Sequence, residues 1–251
     1  MGAVSYLNTK PLLYGIQRAE FINDIELIID YPSRIARMLL NDEIDMGLVP
    51  VAVIPKMRQY YINGDYCIGS DGPVASVCLF SETPIGQVEK VLLDYQSRTS
   101  VQLAKVLLKE YWKISPELVD AKENYRDQIK GRTAGLVIGD RALEQRLISP
   151  FTYDLGEAWK GLTGLPFVFA AWISNKELDP SFIRAFDAAN GLGVNDLRPV
   201  LAELDYPVFD LASYYARYIS YRLDDAKRGG LELFLEKIQK NYVNPYQDLT
   251  I

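Results

Sequence analysis

Apolar and polar positions along this chain alternate between two kinds of run. Short apolar stretches rich in β-branched and aromatic residues lie at 3–7, 25–29, 46–49, 74–80, 90–93, 118–120, 134–138 and 167–173. These predict strands. Between them, apolar residues recur with helical spacing at 11–18, 33–40, 100–112, 125–130 and 141–148. Strands alternating with helices predict an α/β protein with parallel pairing. From about residue 180 the pattern changes to helices at 180–190, 196–204, 211–221 and 231–242, with Gly191, Gly193, Pro207 and Gly229-Gly230 read as breaks. The last third is therefore expected to be mostly helical. Tyr214, Tyr215, Tyr218 and Tyr221 make a stripe at helical spacing, read as a face packed on its own domain.

Two segments, 69–82 and 162–173, each join a loop holding Gly and Pro to a long apolar run. Such a pair suits two lobes connected by two extended hinges. The expected lobes are 1–74 with 168–251, and 75–167 between them. A cleft between lobes is a favoured ligand site, and hinge closure excludes water from it.

Composition narrows the chemistry. The chain has 251 residues, 49% of them hydrophobic and 24% charged, which fits one large domain or two small lobes. Net charge is −6 with no long basic run, which argues against a nucleic-acid partner. No early apolar stretch follows a basic segment, and the longest apolar run, 165–173, is too short to span a bilayer. A cytoplasmic protein with no membrane insertion is expected. Cys67 and Cys78 fit buried thiols in a reducing compartment better than a disulfide. There is no histidine. This removes Ser-His and Cys-His nucleophiles, the commonest general base and almost every catalytic zinc site. No dinucleotide fingerprint, P-loop or clustered acidic metal site is present, so no cofactor is expected.

Several strand-to-helix junctions carry candidate ligand groups. In VSYLNTKPLLYGI, residues 4–16, Asn8 or Thr9 can cap the helix that Pro11 begins, and the same turn can hold a small anion. In 95–108, Ser97, Arg98, Thr99 and Ser100 sit at a helix start, either as a capped end or as a carboxylate or phosphate cradle. Ser76 follows the Asp71-Gly72-Pro73 turn and opens a strand that can face a cleft. Asp140 follows Gly139 and can cap the next helix. Trp159 reads as core, and Thr163-Gly164 as a turn leading into the second crossover.

Taken in order, VSYLNTKPL (4–12), GLVPVAVIP (47–55), SDGPVAS (70–76), SRTSVQLAKVLL (97–108), GLVIGDRAL (135–143) and LGEAW…TGLPFVFAAW (155–172) resemble one family over nearly the whole chain. It is the menaquinone-biosynthesis family of the futalosine route, with a type II periplasmic-binding-protein fold. The resemblance implies two lobes, each a mixed sheet flanked by helices, joined by two crossover hinges. Relatives of this kind carry a few more residues in the first strand, so that edge is expected to be short or frayed. The SYLNT turn is similar to the branch that dehydrates chorismate to 3-[(1-carboxyvinyl)oxy]benzoate. The sister branch, 1,4-dihydroxy-6-naphthoate synthase, opens with a Ser-Pro-Cys-Pro-Asn-like turn and remains an alternative. So does a non-enzymatic small-anion solute-binding protein, which a signal peptide or lipidation cysteine would favour.

On this resemblance, chorismate is the small-molecule partner and loses its C3 hydrogen and C4 hydroxyl as water. Donors around the ring carboxylate would hold the developing charge, and the enolpyruvyl carboxylate would serve as base. Asn8 and Ser76 are expected to be catalytic. Thr9, Ser97, Arg98, Thr99, Asp140, Thr163 and Gly164 are expected to bind substrate.

Overall fold

The fully apolar runs pair into two mixed sheets. The computed structural model describes residues 1–242. Its strands are β1 (Gly2–Val4), β2 (Ile28–Asp30), β3 (Met46–Pro50), β4 (Tyr61–Ser70), β5 (Val77–Ser81), β6 (Lys90–Leu93), β7 (Glu117–Asp120), β8 (Thr133–Ile138), β9 (Phe151–Asp154), β10 (Phe167–Ser174) and β11 (Ser220–Arg222). One sheet runs β11-β4-β10-β3-β1-β2 and the other β7-β6-β8-β5-β9. In the first, β1 is parallel to β2 and β3, while β10 runs antiparallel to β3 and β4. In the second, β6 is parallel to β7 and β8, and β5 is antiparallel to β8 and β9. Pairing is thus mixed rather than parallel throughout. The chain leaves the first sheet at Ser70 and re-enters at Phe167, its partner in register, so β10 must run back along β4.

Helices cover both sheets: α1 (Lys10–Ile16), α2 (Pro32–Leu40), α3 (Thr99–Glu110), α4 (Asp140–Gln145), α5 (Leu155–Thr163), α6 (Pro180–Asn195), α7 (Leu197–Ala202), α8 (Leu211–Ser213) and α9 (Asp225–Tyr242). Strands β3, β5 and β10 are buried along their whole length, as expected of strands covered on both faces. Trp159 of α5 packs edge-on against Phe167 and Phe234, 5.2 and 6.1 Å between ring centres, and so is core. Cys67 and Cys78 are both buried and free.

Four departures from the sequence pattern have physical causes. β1 stops at Val4, and Leu7–Thr9 form a 3-10 turn before α1. β4 is absent from the expected strands, and it contains Asn63-Gly64-Asp65, residue types common in turns. There the strand bulges against β10, Gly64 takes φ +73°, and the Asp187 carboxylate accepts the Asp65 N–H at 2.8 Å. The expected helix 211–221 is a short α8, a π turn over Tyr214–Tyr218 and strand β11. Finally, Gly193 and Gly229-Gly230 lie inside α6 and α9 instead of ending helices.

Those helical glycines mark close approaches. A Cβ on Gly193 would lie 2.2 Å from the Pro11 carbonyl oxygen, and one on Gly15 would lie 1.8 Å from that of Ala189. The backbones of α1 and α6 therefore touch, which fixes α1 and the turn before it. Gly229 meets nothing within 4 Å.

The outgoing crossover and the start of the return path through α5 meet at Asp154. Its carboxylate accepts N–H groups from Val74 (3.0 Å) and Ala75 (2.7 Å) on the outgoing segment, and from Gly156 (2.9 Å) and Glu157 (3.2 Å) at the start of α5. It is at once the N-cap of α5 and the clasp of residues 71–76. Ala75 is held at φ +62°, a costly conformation for a residue with a Cβ.

Two stability measurements check this packing. Gly193→Ala should destabilise by about 1–3 kcal/mol through overpacking, whereas Gly229→Ala should gain roughly 0.5–1 kcal/mol. Equal melting temperatures for the two variants would show that α1 and α6 separate freely. Asp154→Asn should cost about 2–4 kcal/mol, because one of its two acceptor oxygens becomes an NH₂ donor facing the buried Ala75 N–H. An unchanged urea midpoint would show that the carboxylate is not the clasp.

Candidate active site

A cleft opens where the ends of β1, β3, β8 and β10 face the start of α3. The first sheet and its loops contribute Val4, Tyr6, Asn8, Thr9, Ile68 and Phe169. The second contributes Val77, Ser97, Thr99, Ser100, Ile138 and Gly139. Its internal free volume is about 50 Å³, below that of a typical small-molecule pocket, so the two walls stand close together here. Among the described residues, no Asp, Glu, Lys or Arg lines it. Its polar groups are neutral: an amide, a phenol and hydroxyls.

The 7–9 turn is pinned by its backbone. Leu7 N–H donates to the Asp140 carboxylate at 3.0 Å, and Thr9 N–H to the Tyr6 carbonyl at 3.0 Å. Asp140 is thus not a helix cap; it reaches across from α4 to the opposite sheet. Burial pushes its carboxyl above the ordinary value, against the pull of the Leu7 N–H. Neither Asn8 nor Thr9 caps α1 with its side chain. Thr9 Oγ1 instead donates to Asn8 Oδ1 at 3.2 Å. This leaves the Asn8 amide NH₂ without a hydrogen-bond partner among the described residues, in the cleft lining.

At the opposite wall, Ser97 Oγ accepts the Ser100 N–H at 3.1 Å. Thr99 Oγ1 is committed to the Ala52 N–H at 3.2 Å, although its side chain still lines the cleft. α3 is twelve residues long, so its N-terminal dipole favours a nearby anion.

The remaining expected residues lie outside the lining. Ser76 is fully buried, its Oγ accepting from Tyr214 OH at 2.7 Å and donating to Val74 C=O at 3.4 Å. Arg98 stands beside the cleft with a buried Nε that has no partner among the described residues. Thr163 and Gly164 end α5: Thr163 Oγ1 donates to Trp159 C=O at 2.8 Å, and Gly164 takes φ +74°. The structure thus gathers Asn8, Thr9, Ser97 and Thr99. It places Ser76 and Asp140 one layer behind, and leaves Thr163-Gly164 apart.

Groups that the sequence did not single out support the lining. Fully buried Asp94 pairs with Arg141 Nη2 at 3.0 and 2.8 Å and accepts from Tyr125 OH at 2.9 Å and Ile138 N–H at 3.1 Å. Arg141 Nη2 also donates to Gln96 Oε1 at 2.9 Å, and Tyr6 OH donates to that same oxygen. Burial holds the Tyr6 phenol above its ordinary value. The Tyr6 ring lies flat on Gly139, which has φ +65° and where a Cβ would sit 2.9 Å from three ring atoms. Asp154 followed by Glu157 at a helix start is a capping signal that sequence reasoning passed over.

Among the described residues, no group of three or more Cys, Asp or Glu side chains is placed to hold a metal ion, and no helix is long and apolar enough to cross a membrane.

Comparison with known proteins agrees with this architecture. A chorismate dehydratase of Thermus thermophilus is 27% identical, over 95% of this chain and 94% of that protein. A crystal structure of a protein from Archaeoglobus fulgidus superposes with a TM-score of 0.77 at 14% identity, covering 96% of this chain and 97% of that one. The periplasmic aliphatic sulphonate binding protein of Escherichia coli superposes with a TM-score of 0.58 at 14% identity, over 98% and 93% of the two chains. The fold is therefore that of the periplasmic binding proteins. The sequence profile of the menaquinone biosynthesis family matches residues 1–240, and the chain belongs to that family.

Proposed function

We propose that this chain dehydrates chorismate to 3-[(1-carboxyvinyl)oxy]benzoate. The observation that carries the proposal is the cleft itself. It offers neutral donors and a helix N-terminus to an anion, yet no Asp, Glu or Lys that would act as a general base. An elimination in such a site draws its base from the substrate. The carboxylate of the enolpyruvyl arm takes the C3 proton, the electron pair spreads into the ring carboxylate, and the C4 hydroxyl leaves to complete water. Aromatisation of the ring drives the second step.

Each wall has a part. The Asn8 NH₂ donates to the reacting portion of chorismate, orienting the base or the leaving hydroxyl. Ser97, Ser100 and the α3 N-terminus receive a carboxylate and stabilise charge that grows on it. Thr99 serves through its contact with Ala52, which ties α3 to the first sheet. Ser76 and Asp140 act from behind the lining by holding backbone. Residues 1–74 with 168–251, of which 243–251 lie outside the described residues, and residues 75–167 serve as lobes that part to admit substrate. The protein works in the cytoplasm, with chorismate as its small-molecule partner.

Purified protein incubated with chorismate should release an aromatic product detectable by its ultraviolet spectrum. No product from folded protein would defeat the proposal. Asn8→Ala should lower kcat by about 100-fold or more if the amide donates in the transition state. Near-normal turnover would remove that role. Among the described residues, Tyr6 is the one ionisable side chain in the lining, and its phenol is held high, so kcat should stay level between roughly pH 6 and 8. A break within that window would reveal a base on the protein.

A further inference from the structure

The C-terminal tyrosines end on the two backbone segments that carry Asn8 and Ser76. Tyr215 OH donates to Leu7 C=O at 3.0 Å and Tyr221 OH to Asn8 C=O at 2.9 Å. Tyr214 OH donates to Ser76 Oγ at 2.7 Å. The three residues are 0%, 3% and 6% exposed for Tyr214, Tyr215 and Tyr221. None of them lines the cleft. Burial raises all three phenols above their ordinary value, so they stand as neutral donors.

Packing alone needs the rings and not the hydroxyls, since phenylalanine would fill nearly the same space. The hydroxyls instead complete a set. Leu7 N–H is held by Asp140, Leu7 C=O by Tyr215, Asn8 C=O by Tyr221 and Thr9 N–H by Tyr6 C=O. Asn8 Oδ1 accepts from Thr9 Oγ1. With these groups committed, the peptide planes on either side of Asn8 are fixed and its NH₂ has one direction to point. The π turn over Tyr214–Tyr218 supplies two of the three donors from adjacent residues, one to each wall. β11 supplies the third, from the edge of the first sheet.

We infer that Tyr215 and Tyr221 are positioning residues that aim the Asn8 amide into the cleft, and that Tyr214 fixes Ser76 in the same manner. The inference rests on the proposed role of Asn8 in chorismate dehydration. Tyr215→Phe and Tyr221→Phe should each lower kcat by about 10- to 100-fold, as expected for a displaced reacting group. KM should stay within about threefold, because the hydroxyls do not touch substrate. Tyr218→Phe, from the same π turn but packed on Phe209 with no bond to the site, should keep wild-type kcat.

Two measurements separate positioning from general support. In an Asn8→Ala background, Tyr221→Phe should cost no more than about a further twofold in kcat. An equal loss in both backgrounds would overturn the inference. The second needs no turnover. In nitrogen-15-labelled protein, Tyr221→Phe should move the Asn8 side-chain amide resonances, assigned by their loss in Asn8→Ala, while Tyr218→Phe leaves them in place. Unmoved resonances would overturn the positioning role even in an active enzyme. Moved resonances in a protein that leaves chorismate untouched would keep it and refute only the proposed reaction.

Discussion

The Asp154 carboxylate is the constraint on which the rest of the structure depends. Among the described residues the chain crosses between its two sheets twice, and the outgoing crossing and the start of the return both bond this side chain. One carboxylate accepting from both segments makes them a single unit. Backbone contact reinforces it, since a Cβ on Gly156 would lie 2.5 Å from the Gly72 carbonyl oxygen. Ser76 follows directly, and with it the start of β5. The strain at Ala75 is tolerated because its N–H is bound at 2.7 Å.

Around that clasp the residues that line the cleft carry no charge, although Arg98 stands beside it. Asp94 and Arg141 neutralise each other one layer back, and Asp140 spends its charge on a peptide N–H. What faces the cleft is a set of neutral dipoles fixed before substrate arrives. Such an arrangement stabilises developing charge without reorganising during reaction. It also spares the site an isolated buried ion, which is costly unless paired.

The fold class was legible because fully apolar strands such as those at β3, β5 and β10 carry an unmistakable pattern. Other elements were hidden by residues with two uses. Asn63-Gly64-Asp65 has turn chemistry but forms a bulge that Asp187 stabilises from α6, a partner far away in sequence. The tyrosines match helical spacing, yet they divide between a π turn and a strand, and their hydroxyls bond backbone and side chain far away in sequence. Gly193 and Gly230 read as breaks because a sequence does not display the neighbouring backbone they accommodate. Which residues line the candidate cleft was half legible. Strand-to-helix junctions located Asn8, Thr9, Ser97 and Thr99, since ligand groups gather at strand ends in α/β proteins. Junction chemistry does not distinguish a side chain that faces the cleft from one that faces another backbone. For that reason Ser76, Asp140 and Thr163 fell in the same class as Asn8.

Gly139 has a wider consequence. The Tyr6 ring rests against its backbone, with space for the thickness of one ring and no more. Tyr6 belongs to the first sheet's wall and Gly139 to the second's. The separation of the two walls at this point is therefore gauged by a single aromatic ring lying on bare backbone. That makes Gly139 a spacer: the depth to which the walls approach is written into one residue that has no side chain.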